Sequence, residues 1–373
     1  MLINQLTAAN LRSLDFISIT PHSNLNFIIG KNNAGKTSLL EGIYFSSCLK
    51  TFKSVPPSSL INKNQKSLKI LLNVSKYNEN ISISTENHLN SPNLSKIDGQ
   101  RCSVKQLMMS LPVIALNFGT ENIVTAGSET HRTMLDWGTF HVEPSYFDVV
   151  KDYQKALKQR NALLKKREIA NIDYWTALVA ELGETLNDKR LDYFIKLNEE
   201  FTKQQEDILK FMPDVYDDIK CANLLFKRGW DNNLSLLDSL NSQIDKDIML
   251  KYTTKGPHRA DIHFRSGEQE LKNISSMSTQ VVTGLLVVMS QAKVFHVEHK
   301  DKPVILIDDL FFGIDDKNLR LVINLLVDSD AQCFLTAPDL YVDKIERAMD
   351  NKCKARAYEF KNNNLIEKED YGK

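Results

Sequence analysis

Apolar residues along this chain come first in short runs, then at helical spacing, then in short runs again. Segments 2–8, 16–20, 24–29, 68–74 and 81–85 are aliphatic-rich over lengths typical of strands. Asp98-Gly99, flanked by Ile97 and Arg101, supplies a hairpin-type turn. Pro112-Val113-Ile114-Ala115-Leu116 reads as a further buried strand. From about Glu143 the texture changes. Leu157, Leu163 and Leu164 sit in a charged helical pattern, and a second pattern runs through Trp175, Leu178, Leu182, Leu186, Phe194, Leu197, Phe201 and Ile208. Such spacings predict two long amphipathic helices, antiparallel to one another, with Pro213 ending the second. Strand texture returns after about Cys221, most clearly at 303–309 and 331–336. The pattern predicts an α/β head of residues 1–142 and 222–373, split in sequence by a helical arm at 143–221.

One junction of strand and helix carries chemistry. Gly30-Lys31-Asn32-Asn33-Ala34-Gly35-Lys36-Thr37-Ser38 fits G-x-x-x-x-G-K-[ST], the loop that holds nucleotide phosphates. The apolar run at 26–29 precedes it, and a helical pattern begins at Thr37. Backbone N–H groups at such a turn point at an anion, and the helix dipole favours negative charge there. Lys36 is placed to reach the β- and γ-phosphates of ATP, and the Thr37 hydroxyl to ligate Mg²⁺. The second half of such a site is a strand ending in carboxylates, and Ile305-Leu306-Ile307-Asp308-Asp309 provides one. Ligands bind at the carboxyl ends of parallel strands. Asp308 is assigned to the metal and Asp309 to orienting the attacking water; without the phosphate loop, two aspartates after an apolar strand more commonly mark a strand-end turn.

Composition narrows the picture little. Of 373 residues, 42% are hydrophobic and 25% charged, as in ordinary globular chains, and the length suits one large domain with an insertion. Lys+Arg and Asp+Glu number 47 each, so contact with DNA must come from a local patch. Met1-Leu2-Ile3-Asn4-Gln5-Leu6 lacks the basic start of a signal peptide. The longest apolar stretch, near Val281 to Met289, reads as too short to span a bilayer. Five scattered cysteines without a C-x-x-C pair fit a reducing cytoplasm.

With these motifs in hand, the chain resembles the RecF family of bacterial DNA-repair proteins, relatives of SMC and ABC-type ATPases. The loop 30–38 continues as Leu39-Leu40-Glu41-Gly42-Ile43, as in that family. Leu135-Asp136-Trp137-Gly138, Phe140-His141, Glu143-Pro144, Leu157-Lys158-Gln159-Arg160-Asn161, Phe226-Lys227-Arg228-Gly229-Trp230 and Gly256-Pro257-His258-Arg259-Ala260-Asp261 are similar to further family motifs. Ile307-Asp308-Asp309 with Ile314-Asp315 resembles its Walker B strand and D-loop. The resemblance implies an ABC/SMC-type P-loop ATPase head with a helical arm. It implies an ATP-dependent homodimer that binds single-stranded or gapped duplex DNA, with a RecR-type mediator as partner. It implies roles in recombinational repair, replication restart and SOS induction. It also implies that Arg12 lies near the γ-phosphate and that Ser276 reaches the ATP of a partner subunit.

Several positions depart from the family. The signature helix should begin Leu-Ser-x-Gly-Gln, and here the stretch is Ser275-Ser276-Met277-Ser278-Thr279. A glycine lets backbone approach a phosphate, so the Cβ of Ser278 is expected to narrow that approach. Val281 replaces a basic residue, Leu310-Phe311-Phe312-Gly313 replaces smaller residues, Phe118-Gly119 a Pro-Glu pair, His131 one of two arginines, and Lys53 an arginine. The expected activity is at most a slow, DNA-stimulated ATPase; a non-hydrolysing scaffold that recruits repair partners is the rival. Lys155, Lys158, Arg160, Lys165, Lys166 and Arg167 form either a DNA-facing stripe or a solvated helix face. Arg12 equally fits an exposed turn.

Overall fold

Alternation along the first strands decides a sheet with one wet face. The computed structural model describes all residues except 54, 78, 119–121, 168–170, 212–218, 220, 312, 350–354, 362–363 and 369–373. Pro213, Gly119 and Phe312, named above, lie outside the described residues. Strands β1 (Leu2–Leu11), β2 (Leu14–Ile19), β3 (Leu25–Ile29), β4 (Ser67–Lys76), β5 (Glu79–His88) and β8 (Val113–Asn117) fall where the apolar runs predict them, while β6 (Ser91–Ile97) and β7 (Gln100–Arg101), which no run predicts, flank the Asp98-Gly99 turn. An antiparallel sheet has the order β2-β1-β4-β5-β6-β7. Ile3, Leu6, Ile70 and Leu72 turn inward from it, while Leu71 on the opposite face is exposed.

A second sheet takes strands from both ends of the chain. With β12 (Val304–Asp308), β13 (Cys333–Ala337), β14 (Ala355–Lys361) and β15 (Asn364–Glu367), its order is β15-β14-β3-β13-β12-β8. The pairs from β14 across to β8 are parallel. Strands β3, β12 and β13 are buried at every position, as parallel strands covered on both faces must be. Helix α1 (Lys36–Cys48), with the short α2 (Val104–Ser110) packed beside it, supplies Leu39, Leu40, Ile43 and Phe45 to one core shared with both sheets. The helix Met277–His299 has the length and composition to cross a membrane, more than the sequence reading allowed, and 83% of its apolar window is buried. Here that apolarity serves the core.

The chain divides into two compact units, 1–122 with 276–373, and 123–275. The break therefore falls at 122/123 and 275/276 rather than at 142/143 and 221/222. The second unit holds α3 (Ser128–Val142), α4 (Tyr146–Lys166), α5 (Ile172–Phe211) and a three-stranded sheet of β9 (Ala222–Lys227), β10 (Asp261–Ser266) and β11 (Gln269–Glu270). Its strands belong with the helices because of side-chain contacts. Phe226 of β9 lies 5.5 Å from Phe194 of α5, ring to ring. The Gln205 amide donates to the carbonyls of Ile219 and Ala222, and Arg190 donates to that of Pro257. Several family-like motifs are fasteners of this unit. Arg190 also pairs with Asp136, a Cβ on Gly138 would collide with Tyr193, and one on Gly229 would meet the Gly256 carbonyl at 2.3 Å.

Candidate phosphate and metal site

The phosphate loop follows β3 and is closed by Gly35. Its φ of +107° favours glycine, and a Cβ there would come within 2.9 Å of Leu14. Gly35 is also the N-cap of α1, so no side chain satisfies the first-turn N–H groups at that position. Lys31, Asn32 and Asn33 are exposed and Ala34 is half-buried along the loop. The Gly30 N–H donates to the Ala337 carbonyl, tying the loop to β13. Lys36 Nζ donates to the carbonyls of Gly30 at 2.7 Å and Lys31 at 2.9 Å. Burial lowers its pKa from the ordinary lysine value, against the pull of Asp309, Asp308 and Asp339.

Asp308 comes to this loop from the far end of the sequence. Its carboxylate is fully buried and accepts the Thr37 hydroxyl at 2.9 Å across 271 residues of chain. It also accepts the Thr336 hydroxyl at 2.8 Å and pairs with Lys53 Nζ at 3.2 Å. Asp309 lies just past β12 with φ +57°, a conformation that aspartate tolerates better than most residues. Its N–H donates to Thr336 Oγ1 at 2.8 Å. Burial raises the Asp309 carboxyl above its usual value, Asp308 adds to this, and Lys53 and Lys36 oppose it.

A cleft of about 1260 Å³ opens over these groups, lined by Arg12, Lys36, Thr37, Ser38, Lys53 and Asp309 among others. The assigned residues of the phosphate loop and the two carboxylates are thus brought together, and Arg12 joins them. Ser276 is not among the cleft-lining residues; it is the exposed N-cap of the helix Met277–His299, accepting from the Thr279 N–H. Ser278 is 7% exposed. Its hydroxyl donates to Asp315 at 2.9 Å and accepts from the Asn318 amide at 2.7 Å. The serine expected to crowd a phosphate therefore turns its hydroxyl toward the D-loop.

Sequence reasoning missed Thr336 and the engagement of Lys53. A threonine ending an apolar strand gave the only local signal for the first. Arg160 corrects an expectation: it is fully buried, paired with Asp247 at 2.8 Å and bonded to Thr176 and Thr253, so it cannot face DNA. Lys158, Lys165, Lys166 and Arg167 of the same stripe are exposed.

Hydroxyl and carboxylate oxygens are hard donors, and the adjacent Thr37 and Asp308 suit Mg²⁺ in chemical type. Comparison with known proteins agrees with the geometry. Residues 2–352 match the RecF/RecN/SMC N-terminal domain. The DNA replication and repair protein RecF of Coxiella burnetii is 30% identical over 339 residues, 90% of this chain and 93% of the relative. That of Shewanella frigidimarina is 28% identical over 92% of this chain and 95% of the relative. Among solved structures, the recombination mediator protein RecF with ATP, of the RecFOR pathway, superposes with a TM-score of 0.79 at 20% identity, covering 98% of this chain and 99% of that one. An SMC head domain from Pyrococcus furiosus gives 0.55 at 14% identity, covering 98% and 96%. With its phosphate loop and carboxylate strand meeting in one sheet of an SMC-type head, the chain belongs to the RecF family of DNA replication and repair proteins.

Proposed function

We propose that the protein binds ATP with Mg²⁺ in this cleft and works in the cytoplasm as an ATP-dependent, DNA-binding dimer in recombinational repair. Replication restart and SOS induction belong to the same reading, with a RecR-type mediator as partner. The observation that carries it is the Thr37–Asp308 contact, which joins the two halves of a nucleotide site from opposite ends of the chain. Lys36 supplies positive charge for the β- and γ-phosphates, and the loop from Gly30 to Ser38 supplies N–H donors. Thr37 and Asp308 would hold Mg²⁺, which when bound neutralises phosphate charge. Asp309, half-buried and next to Asp308, is the group to orient water for slow hydrolysis. Ser276 would serve the ATP of a second copy. Lys158, Lys165, Lys166 and Arg167 would meet DNA phosphates.

One observation favours a non-hydrolysing scaffold instead. Ser278 is bonded to Asp315 and Asn318, which ties the start of the signature helix to the D-loop. Binding of a fluorescent ATP analogue to wild type and Lys36→Met tests the nucleotide site; equal affinities would refute it. Light scattering without nucleotide, with ADP and with a slowly hydrolysed ATP analogue tests the dimer. Single-turnover hydrolysis with and without gapped DNA separates switch from scaffold.

A further inference from the structure

Lys53 is a cation that the chemistry above leaves without a task. Its side chain is one-third exposed at the cleft wall, yet its Nζ lies 3.2 Å from Oδ2 of the fully buried Asp308. The segment that carries it is pinned. The N–H groups of Phe52 and Lys53 donate to the Glu41 carboxylate at 3.2 and 3.3 Å, and Glu41 is fully buried on α1. Thr51 Oγ1 donates to the Val55 carbonyl at 2.6 Å and accepts from its N–H at 3.1 Å. Lys36, the other lysine near these carboxylates, is bonded to loop carbonyls. Among the described residues, Lys53 is therefore the cation in ion-pair contact with Asp308.

We propose that Lys53 is the resident counter-ion of Asp308 and competes with a divalent cation for it. This rests on reading Asp308 and Thr37 as the metal pair. A carboxylate that already faces an ammonium gains little from a metal ion, because the two cations repel at contact distance. Lys36 and Lys53 together balance Asp308 and Asp309, so a divalent ion alone would leave the site with excess positive charge. Phosphate brings the negative charge that lets Lys53 leave Asp308 and keep a partner. The pinned lysine thereby makes divalent-ion binding depend on the nucleotide.

The test uses Mn²⁺ alone as the probe, with free ion measured by electron paramagnetic resonance on nucleotide-free, full-length protein. Lys53→Gln and Lys53→Met should each bind Mn²⁺ about tenfold or more tightly than wild type. Lys53→Arg, which keeps the charge, should stay with wild type. Adding Asp308→Asn to Lys53→Gln should remove the gain. Lys63→Gln, which takes the same charge from another part of the cleft wall, should show none. Equal Mn²⁺ affinity in wild type and both neutral variants, each checked for a cooperative melt, overturns the proposal. So does a gain that survives Asp308→Asn or is matched by Lys63→Gln. No nucleotide is present, so a failure here is separate from a failure of the ATP-binding test on Lys36→Met.

Discussion

Thr336→Val separates a structural methyl from a site-building hydroxyl. Thr336 is fully buried on β13, between the strand that leads into the phosphate loop and the strand that ends in the carboxylates. Its hydroxyl donates to Asp308 Oδ1 and accepts from the Asp309 N–H, both at 2.8 Å. Valine keeps the shape and removes both bonds. A buried group left unpaired costs about 1–3 kcal/mol, and Asp308 keeps the Thr37 hydroxyl, so the loss should be roughly 2–4 kcal/mol. Thr336→Ser keeps the hydroxyl and deletes one methyl, costing about 1 kcal/mol. Urea unfolding at constant m should therefore rank wild type above serine and serine above valine. Binding of the ATP analogue should lose its Mg²⁺ dependence in the valine variant and keep it in the serine variant. If valine is neutral and serine the more destabilised, Thr336 is a packing residue, and the shared-hydroxyl account of the two carboxylates fails.

Asp309→Asn removes a charge that burial and Asp308 both disfavour, so it should raise the melting temperature while slowing ATP turnover; a lower melting temperature would contradict the repulsion inferred here. Arg160→Ala leaves the fully buried Asp247 uncompensated and should cost about 3–5 kcal/mol in denaturant unfolding. Alanine at Lys158, Lys165 and Arg167 together should spare stability and flatten the salt dependence of DNA binding; an unchanged slope would assign these residues to solvent or to a partner protein. His258 has its pKa lowered to about 4, chiefly by burial, while the unfolded chain titrates near 6.5. Above about pH 6.5 both states are neutral; below it the unfolded chain takes up a proton that the folded ring refuses. Stability should fall by up to about 3 kcal/mol between pH ~6.5 and ~4, and His258→Gln should flatten that part of the curve measured by urea unfolding.

The phosphate loop was legible in sequence because its chemistry is local. A strand, a left-handed glycine and a helix start lie in consecutive residues, and the anion-binding groups are their own backbone. Strands β3, β12 and β13 and helices α4 and α5 were equally readable, since period and apolarity report which faces are buried. What those faces meet is decided elsewhere. The order β3-β13-β12 sets Thr37 against Asp308 and inserts Thr336 between the carboxylates, and neither follows from spacing along the chain. Arg160 looked like one more charge in a basic run, because its partner Asp247 lies 87 residues away. The three-stranded sheet looked like head and packs with the helices of the second unit, through contacts such as Phe194 with Phe226. Local sequence determines the backbone of the site and the faces that must be covered. Only tertiary packing chooses partners for buried charges, because that choice is made between segments far apart in the chain.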